Sequence, residues 1–118
     1  DFEMAEKLPA KGEVWFVDLT DGNGHEQQGM RPGIILANFA ALKMSLLVPV
    51  TSNLSTSRFP ATLRLSPTRE NGLQTESVAL IFQTTSVDHI RLVRCTGQLS
   101  KDDQNKIDAI LKDELRIT

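Results

Sequence analysis

A chain of 118 residues, 40% hydrophobic and 24% charged, is sized for one hydrophobic core with an ordinary water-soluble balance. Its longest apolar stretches, such as GIILANFAAL, fall far short of the ~20 residues that span a bilayer, so no membrane association is expected. The net charge of −2 argues against a generic polyanion binder, and the one cysteine, Cys95, cannot form an internal disulfide, which fits a reducing, cytoplasmic setting.

The charge is unevenly spread. Residues 1–26 hold two lysines against seven acids, whereas residues 27–99 hold six arginines and one lysine against three acids. The middle of the chain is therefore basic, almost wholly through arginine, whose guanidinium can hold a phosphate by two hydrogen bonds at once. On charge alone a solvated surface is the plainer reading. No charged-then-apolar start with a cleavage site opens the chain, so no secretory leader is expected. Residues 1–11 are expected to be an N-terminal extension, with Met4 a candidate native start and residues 1–3 then foreign to it; residues 12–118 are expected to form one domain.

In chain order, GEVWFVDL (12–19) reads as a buried strand, and TDGNGHEQQG (20–29) as a polar, turn-rich loop. GIILAN (33–38) is a second strand. FAALKM fits a helical turn or an irregular crossing. SLLVPVTS (45–52) is a third strand, and Pro49 within it predicts an edge or a bulge, because proline cannot donate to a ladder. TLRLS (62–66) alternates and should be half exposed. Asn71-Gly72 is a strong reversal signal. SVALIFQ (77–83) is a further buried strand, SVDHIRL holds a short helical turn, and VRCTGQL (93–99) is the last strand. The period then changes. Ser100 is placed to cap a helix with Asp102 and Asp103 in its first turn, and Ile107, Ile110, Leu111 and Leu115 recur at helical spacing. Short strands followed by one late helix predict a mainly β fold: a small curled sheet or barrel closed by the helix.

The familiar cofactor and hydrolase signatures fail. His25, His89 and Cys95 lack metal-ligand spacing, so no metal is expected. The loop glycines precede neither Gly-Lys-Ser/Thr nor a helix, and no G-x-S-x-G elbow occurs. What remains is polar chemistry at strand ends: His25, Glu26, Gln27 and Arg31 in the first loop, Thr51 and Ser52 ending the third strand, and Gln83 ending SVALIFQ. Loops on a rigid scaffold often carry function, yet loops are also simply polar.

GEVWFVDL, GHEQQGMRPGIIL, VPVTS, RFPATLRL and NGL…SVALIFQ, in this order, resemble the MazF/PemK toxin endoribonucleases, from Gly12 to the last helix. GHEQQG-x-RP followed at this distance by VPVTS is most similar to the PemK branch. The resemblance implies an SH3-like barrel, a homodimer, and metal-independent cleavage of single-stranded RNA, mainly mRNA, to 2′,3′-cyclic phosphate and 5′-hydroxyl ends. It implies no cofactor, and a cognate antitoxin whose flexible tail covers the groove. It also implies catalytic roles for Arg31 and Thr51, places His25 and Glu26 near the scissile group, and makes Ser52 and Gln83 RNA contacts. Gln27, in the same loop, is expected to contact RNA as well. The chain departs from the branch in one place: Leu80 and Phe82 stand where the PemK branch has an Arg and an Asp with acid–base roles.

Cleavage of this type uses the substrate's own 2′-hydroxyl as nucleophile, so proximity is built in and stabilising the phosphorane dominates. Arg31 suits that task. The proton falls to His25 or Glu26, since a threonine hydroxyl is too weak a base. Plainer roles stand beside these. Pro32 fixes an extended entry to its strand. Trp15 and Phe16 read as core rather than base-stacking platforms, Cys95 as a small strand residue, and His89 as surface. Ser52 reads equally as a turn cap. Phe82 is either core or a base-stacking platform, and Arg58 and Arg64 are either groove contacts or surface charge. Two other functions stay open: a degenerate member that binds antitoxin without catalysis, and an interaction toxin, because a gyrase-poisoning family shares the barrel.

Overall fold

Three uninterrupted apolar runs become three adjacent strands with both faces covered. In the computed structural model, which describes residues 8–20 and 29–117, these are β1 (Glu13–Asp18), β2 (Met30–Phe39) and β3 (Met44–Thr51). Successive side chains point to opposite faces of a strand. Val14 and Ile34 accordingly join one core, with Val48, Val50, Leu65, Leu73, Ala79, Ile81, Leu99 and Ile107. Trp15, Val17, Ile35 and Leu47 join a second core, with Val87. Two cores, one on each face, are why these runs do not alternate.

β4 (Thr62–Leu65), β5 (Ser77–Leu80), β6 (Thr85–Asp88) and β7 (Leu92–Gln98) complete an antiparallel sheet, before the single helix α1 (Lys101–Leu115). The order is β4-β5-β3-β2-β1-β7, with β6 also on β3. Strand β3 is therefore interior, not the edge that Pro49 suggested. Its second side is shared: β6 pairs residues 44–47 and β5 pairs residues 50 and 51. Pro49 falls in the gap between the two, where a residue without an N–H is tolerated. The register shift between β2 and β3 lies elsewhere, between Ile35 and Ala37. This forked pairing is the form taken by the expected small barrel.

SVALIFQ is not one strand. After Leu80 the chain makes a 3-10 turn over Ile81–Gln83, closed by the Thr84 N–H and hydroxyl, which both donate to the Ile81 carbonyl (3.1 and 2.6 Å). The turn carries the chain along β3 from one partner site to the other. Likewise SVDHIRL divides into β6 and a 3-10 turn over His89–Arg91, capped by the Asp88 carboxylate on the Ile90 N–H. FAALKM does hold a short 3-10 turn, Ala40–Leu42.

Helix α1 starts as its sequence requires, with Ser100 Oγ accepting from the Asp103 N–H at 3.0 Å. Ile107 is buried, and Ile110 and Leu111 pack beside it. The expected apolar stripe stops there: Leu115 is 62% exposed, because the last turn runs beyond the core. Gln104 is buried instead and donates to the Leu99 carbonyl at 3.0 Å. Gly12 sits against it with φ of +91°, where a Cβ would strike the Gln104 side chain.

Candidate active site

The core on the Val14 face is open at one end. Phe16, two residues on from Val14, faces the opening, and a cavity of about 400 Å³ extends from it. Arg31, the second residue of β2, reaches this cavity from opposite Val17. Val50, Thr51 and Ser52 enter from the end of β3, and Arg94 and Thr96 from β7. The chain from Gly72 to Thr75 forms the facing wall.

Local hydrogen bonds set these positions. Thr51 Oγ1 accepts from the Asn53 N–H at 3.1 Å. A hydroxyl has one proton and two lone pairs, so that bond leaves the proton to donate into the cavity. Asn53 itself caps the next turn, Leu54–Arg58, by accepting from the Ser55 N–H. Asn71, buried to 2% exposure, holds the facing wall. Its Oδ1 accepts from the N–H groups of Thr68 and Leu73, both at 2.9 Å, and its Nδ2 donates to the Ser66 carbonyl at 2.9 Å. Gly72 follows with φ of +69°, so close to Thr96 that a Cβ would strike the Thr96 carbonyl. The Asn-Gly pair thus does more than reverse the chain: it brings Gln74 and Thr75 against the cavity.

The two ends of the polar loop are tied as well. The Leu19 N–H donates to the Gly29 carbonyl at 2.9 Å. Arg91 Nη1 donates to the carbonyls of Asp18 and Thr20, at 3.1 and 3.0 Å. The Asp18 carboxyl is held below the usual carboxylate range, first by hydrogen bonds from Thr20 and then by the Arg91 charge. His25, Glu26 and Gln27 lie outside the described residues.

The structure therefore gathers Arg31, Thr51 and Ser52, and leaves three candidates elsewhere. Phe82 is 49% exposed and meets Phe59 edge-to-face, with ring centroids 5.9 Å apart. Arg58 lies over the Phe59 ring, 4.9 Å from its centroid. Gln83 is exposed in the same turn as Phe82, off the cavity. Leu80, at the Arg position of the PemK branch, is buried. Arg64 is a surface residue 3.7 Å from Glu76. Trp15 is core, as expected, donating from Nε1 to Glu13 Oε1 at 3.0 Å, but Phe16 is half-buried cavity wall. Sequence reasoning took Phe16 for core and missed Gln74, Thr75, Arg94 and Thr96, to which no role was given; only the arginine-rich middle hinted at Arg94.

Among the described residues no group of three His, Cys, Asp or Glu side chains is placed to hold a metal ion, and no helix is long and apolar enough to cross a membrane. What the cavity offers is arginine, Arg31 and Arg94, beside hydroxyl side chains, a set that binds a phosphoryl group.

Comparison with known proteins agrees with that chemistry. The profile of the PemK-like, MazF-like toxins of type II toxin–antitoxin systems matches residues 10–115. The Endoribonuclease MazF9 of Mycobacterium tuberculosis is 34% identical over 110 residues, covering 86% of this chain and 92% of the relative. In structure the chain is similar to MazF of Deinococcus radiodurans, with a TM-score of 0.76, 23% identity, and coverage of 95% of this chain and 100% of that one. A chain of the MazE–MazF crystal structure from the same organism gives a TM-score of 0.74 at 20% identity, covering 96% and 100%; likeness at these identities speaks for the fold. With the profile spanning nearly all its residues, the chain belongs to the PemK-like, MazF-like toxins of type II toxin–antitoxin systems.

Proposed function

We propose that this toxin-family endoribonuclease cleaves single-stranded RNA, mRNA above all, by metal-independent transesterification in the Arg31–Thr51 cavity. The observation that carries the reading is the convergence there of Arg31, Thr51 and Ser52 from two strands. The ribose 2′-oxygen attacks the adjacent phosphorus, the bond to the 5′-oxygen breaks, and the ends are a 2′,3′-cyclic phosphate and a 5′-hydroxyl. Arg31 stabilises the charge on the phosphorane and Thr51 donates to a phosphoryl oxygen. His25 or Glu26 takes the 2′-proton, and the leaving oxygen is reprotonated from the same loop. Leu80 is buried, so an acid–base pair on that strand has no counterpart here, which puts the proton work on the loop. Ser52 and Gln27 contact the reacting nucleotides; Arg58, Phe82 and Gln83, off the cavity, contact flanking ones.

The same reading takes residues 12–118 as one toxin domain acting in the cytoplasm as a homodimer, restrained by a cognate antitoxin whose tail occupies the cavity. The solved MazE–MazF complex supports such a partner. Exposed Leu115 and Ile117 at the end of α1 supply apolar surface for a second copy. The test is purified protein with a long single-stranded RNA in EDTA. Discrete fragments are expected, lost in Arg31→Ala by about 3–4 kcal/mol of transition-state stabilisation, on the scale of one oxyanion donor. Intact RNA under conditions where the protein is folded would overturn the reading.

A further inference from the structure

We infer that Arg94 is a second phosphate-binding residue of the RNA groove, holding the phosphate next to the scissile one; this rests on reading the Arg31–Thr51 cavity as the RNase site. Arg94 belongs to none of the motifs that carry the resemblance. Its guanidinium lies over the face of Phe16, 4.8 Å from the ring centroid. A cation held over a ring by the ring's quadrupole does not use up its N–H donors in an ion pair. Among the described residues no carboxylate lies within ion-pair distance of it. This arginine is oriented by a ring and lines the cavity.

Its placement relative to Arg31 adds to this. In the sheet Arg94 is opposite Phe16, and Phe16 is opposite Pro32, the neighbour of Arg31. The two arginines flank β1, their backbones about two strand spacings, ~9.5 Å, apart. Long side chains from these positions can take successive phosphates of a strand laid across β1. Arg31 then neutralises the phosphate that reacts, and Arg94 fixes its neighbour, so that the attacking 2′-oxygen is held in register. No covalent step is added. A nucleobase on the other face of the guanidinium is the competing use of the same geometry.

The probe is a single-stranded oligoribonucleotide carrying the mapped cleavage site, with a 2′-deoxy sugar at the cleaved nucleotide so that it binds without reacting. Binding is measured across salt concentrations for wild type, Arg94→Gln and Arg94→Lys. Loss of one phosphate contact should lower the slope of log affinity against log salt by about 0.7 in Arg94→Gln, with Arg94→Lys keeping most of it. A neutral methylphosphonate is then moved through the linkages flanking the cleaved one. At one linkage it should weaken wild type to the level of Arg94→Gln and leave Arg94→Gln unchanged. An unchanged salt slope with weaker binding means base stacking and overturns the proposal. So does a methylphosphonate scan in which wild type and variant respond alike, or in which wild type responds at no flanking linkage; the wild-type scan does not depend on the variant folding. Wild type that cleaves no RNA overturns the RNase reading itself, whereas wild type that cleaves while Arg94→Gln keeps the slope overturns this inference alone.

Discussion

Replacing Asn71 by alanine should damage stability and cleavage together, since one side chain holds the wall that faces Arg31 and Thr51. Three hydrogen bonds vanish: those to the N–H groups of Thr68 and Leu73, and the one to the Ser66 carbonyl. They differ in cost. Leu73 is buried, so its N–H is stranded, at about 1–3 kcal/mol. Thr68 and Ser66 are exposed, so water replaces the lost partner and each costs about 0.5–1 kcal/mol. The sum is about 3 kcal/mol. At about 4 °C per kcal/mol for a chain of this size, Tm should fall by about 12 °C. Thermal melts followed by far-UV circular dichroism measure this directly. Cleavage is then assayed well below the variant's Tm, where kcat/KM should still be reduced because Gln74 and Thr75 lose their fixed position. A Tm loss under about 4 °C would show that the Asn71 bonds do not hold the turn. Full kcat/KM at low temperature would show that the turn does not shape the site.

Thr51→Val removes only the hydroxyl from an otherwise similar shape; kcat/KM should fall about 10²–10³-fold while Tm changes little, and Thr51→Ser should restore most of the rate. Steady-state cleavage of a fluorogenic oligoribonucleotide reads both. Ala61 adopts a left-handed φ of 57°, which costs a residue with a Cβ about 1–2 kcal/mol. Ala61→Gly should therefore stabilise the fold by about 0.5–1 kcal/mol after the extra entropy of unfolded glycine is deducted, measured by urea titration. Asp18 has a folded pKa below its unfolded one, so its ionised form favours folding above the unfolded value of about 3.9, and that contribution is lost as pH falls through the folded value. Wild type should be more stable than Asp18→Asn at neutral pH, with the difference closing only in acid below about pH 4; a pH-independent difference would contradict it.

The strands with two buried faces were the most legible part of the fold. Continuous runs such as EVWFV and GIIL fit only a strand covered on both sides. The capped helix was equally plain. Pro49 misled because proline is normally read as a mark of an edge, whereas here it sits where one strand's neighbour changes, a property of the topology rather than of the local sequence. SVALIFQ misled for a related reason: its apolar run continues through a 3-10 turn, since Ile81 is core and Phe82 is not. At the site, Arg31 and Thr51 lie in recognisable stretches. Arg94 does not, and Phe16, though in such a stretch, reads as core, because only the pairing of β1 with β7 makes the two neighbours.

That pairing also sets when the cavity can be completed during synthesis. Phe16 and Arg94 sit on strands at opposite ends of the sheet-forming chain, and β7 is the last strand to be synthesised. Contacts so distant in sequence form late, because the loop between them must close first. A nascent chain that has not yet reached Arg94 can build the β2–β3 hairpin but not the complete cavity. The cavity is therefore complete only when the chain has been made through β7, a constraint that comes from chain order alone.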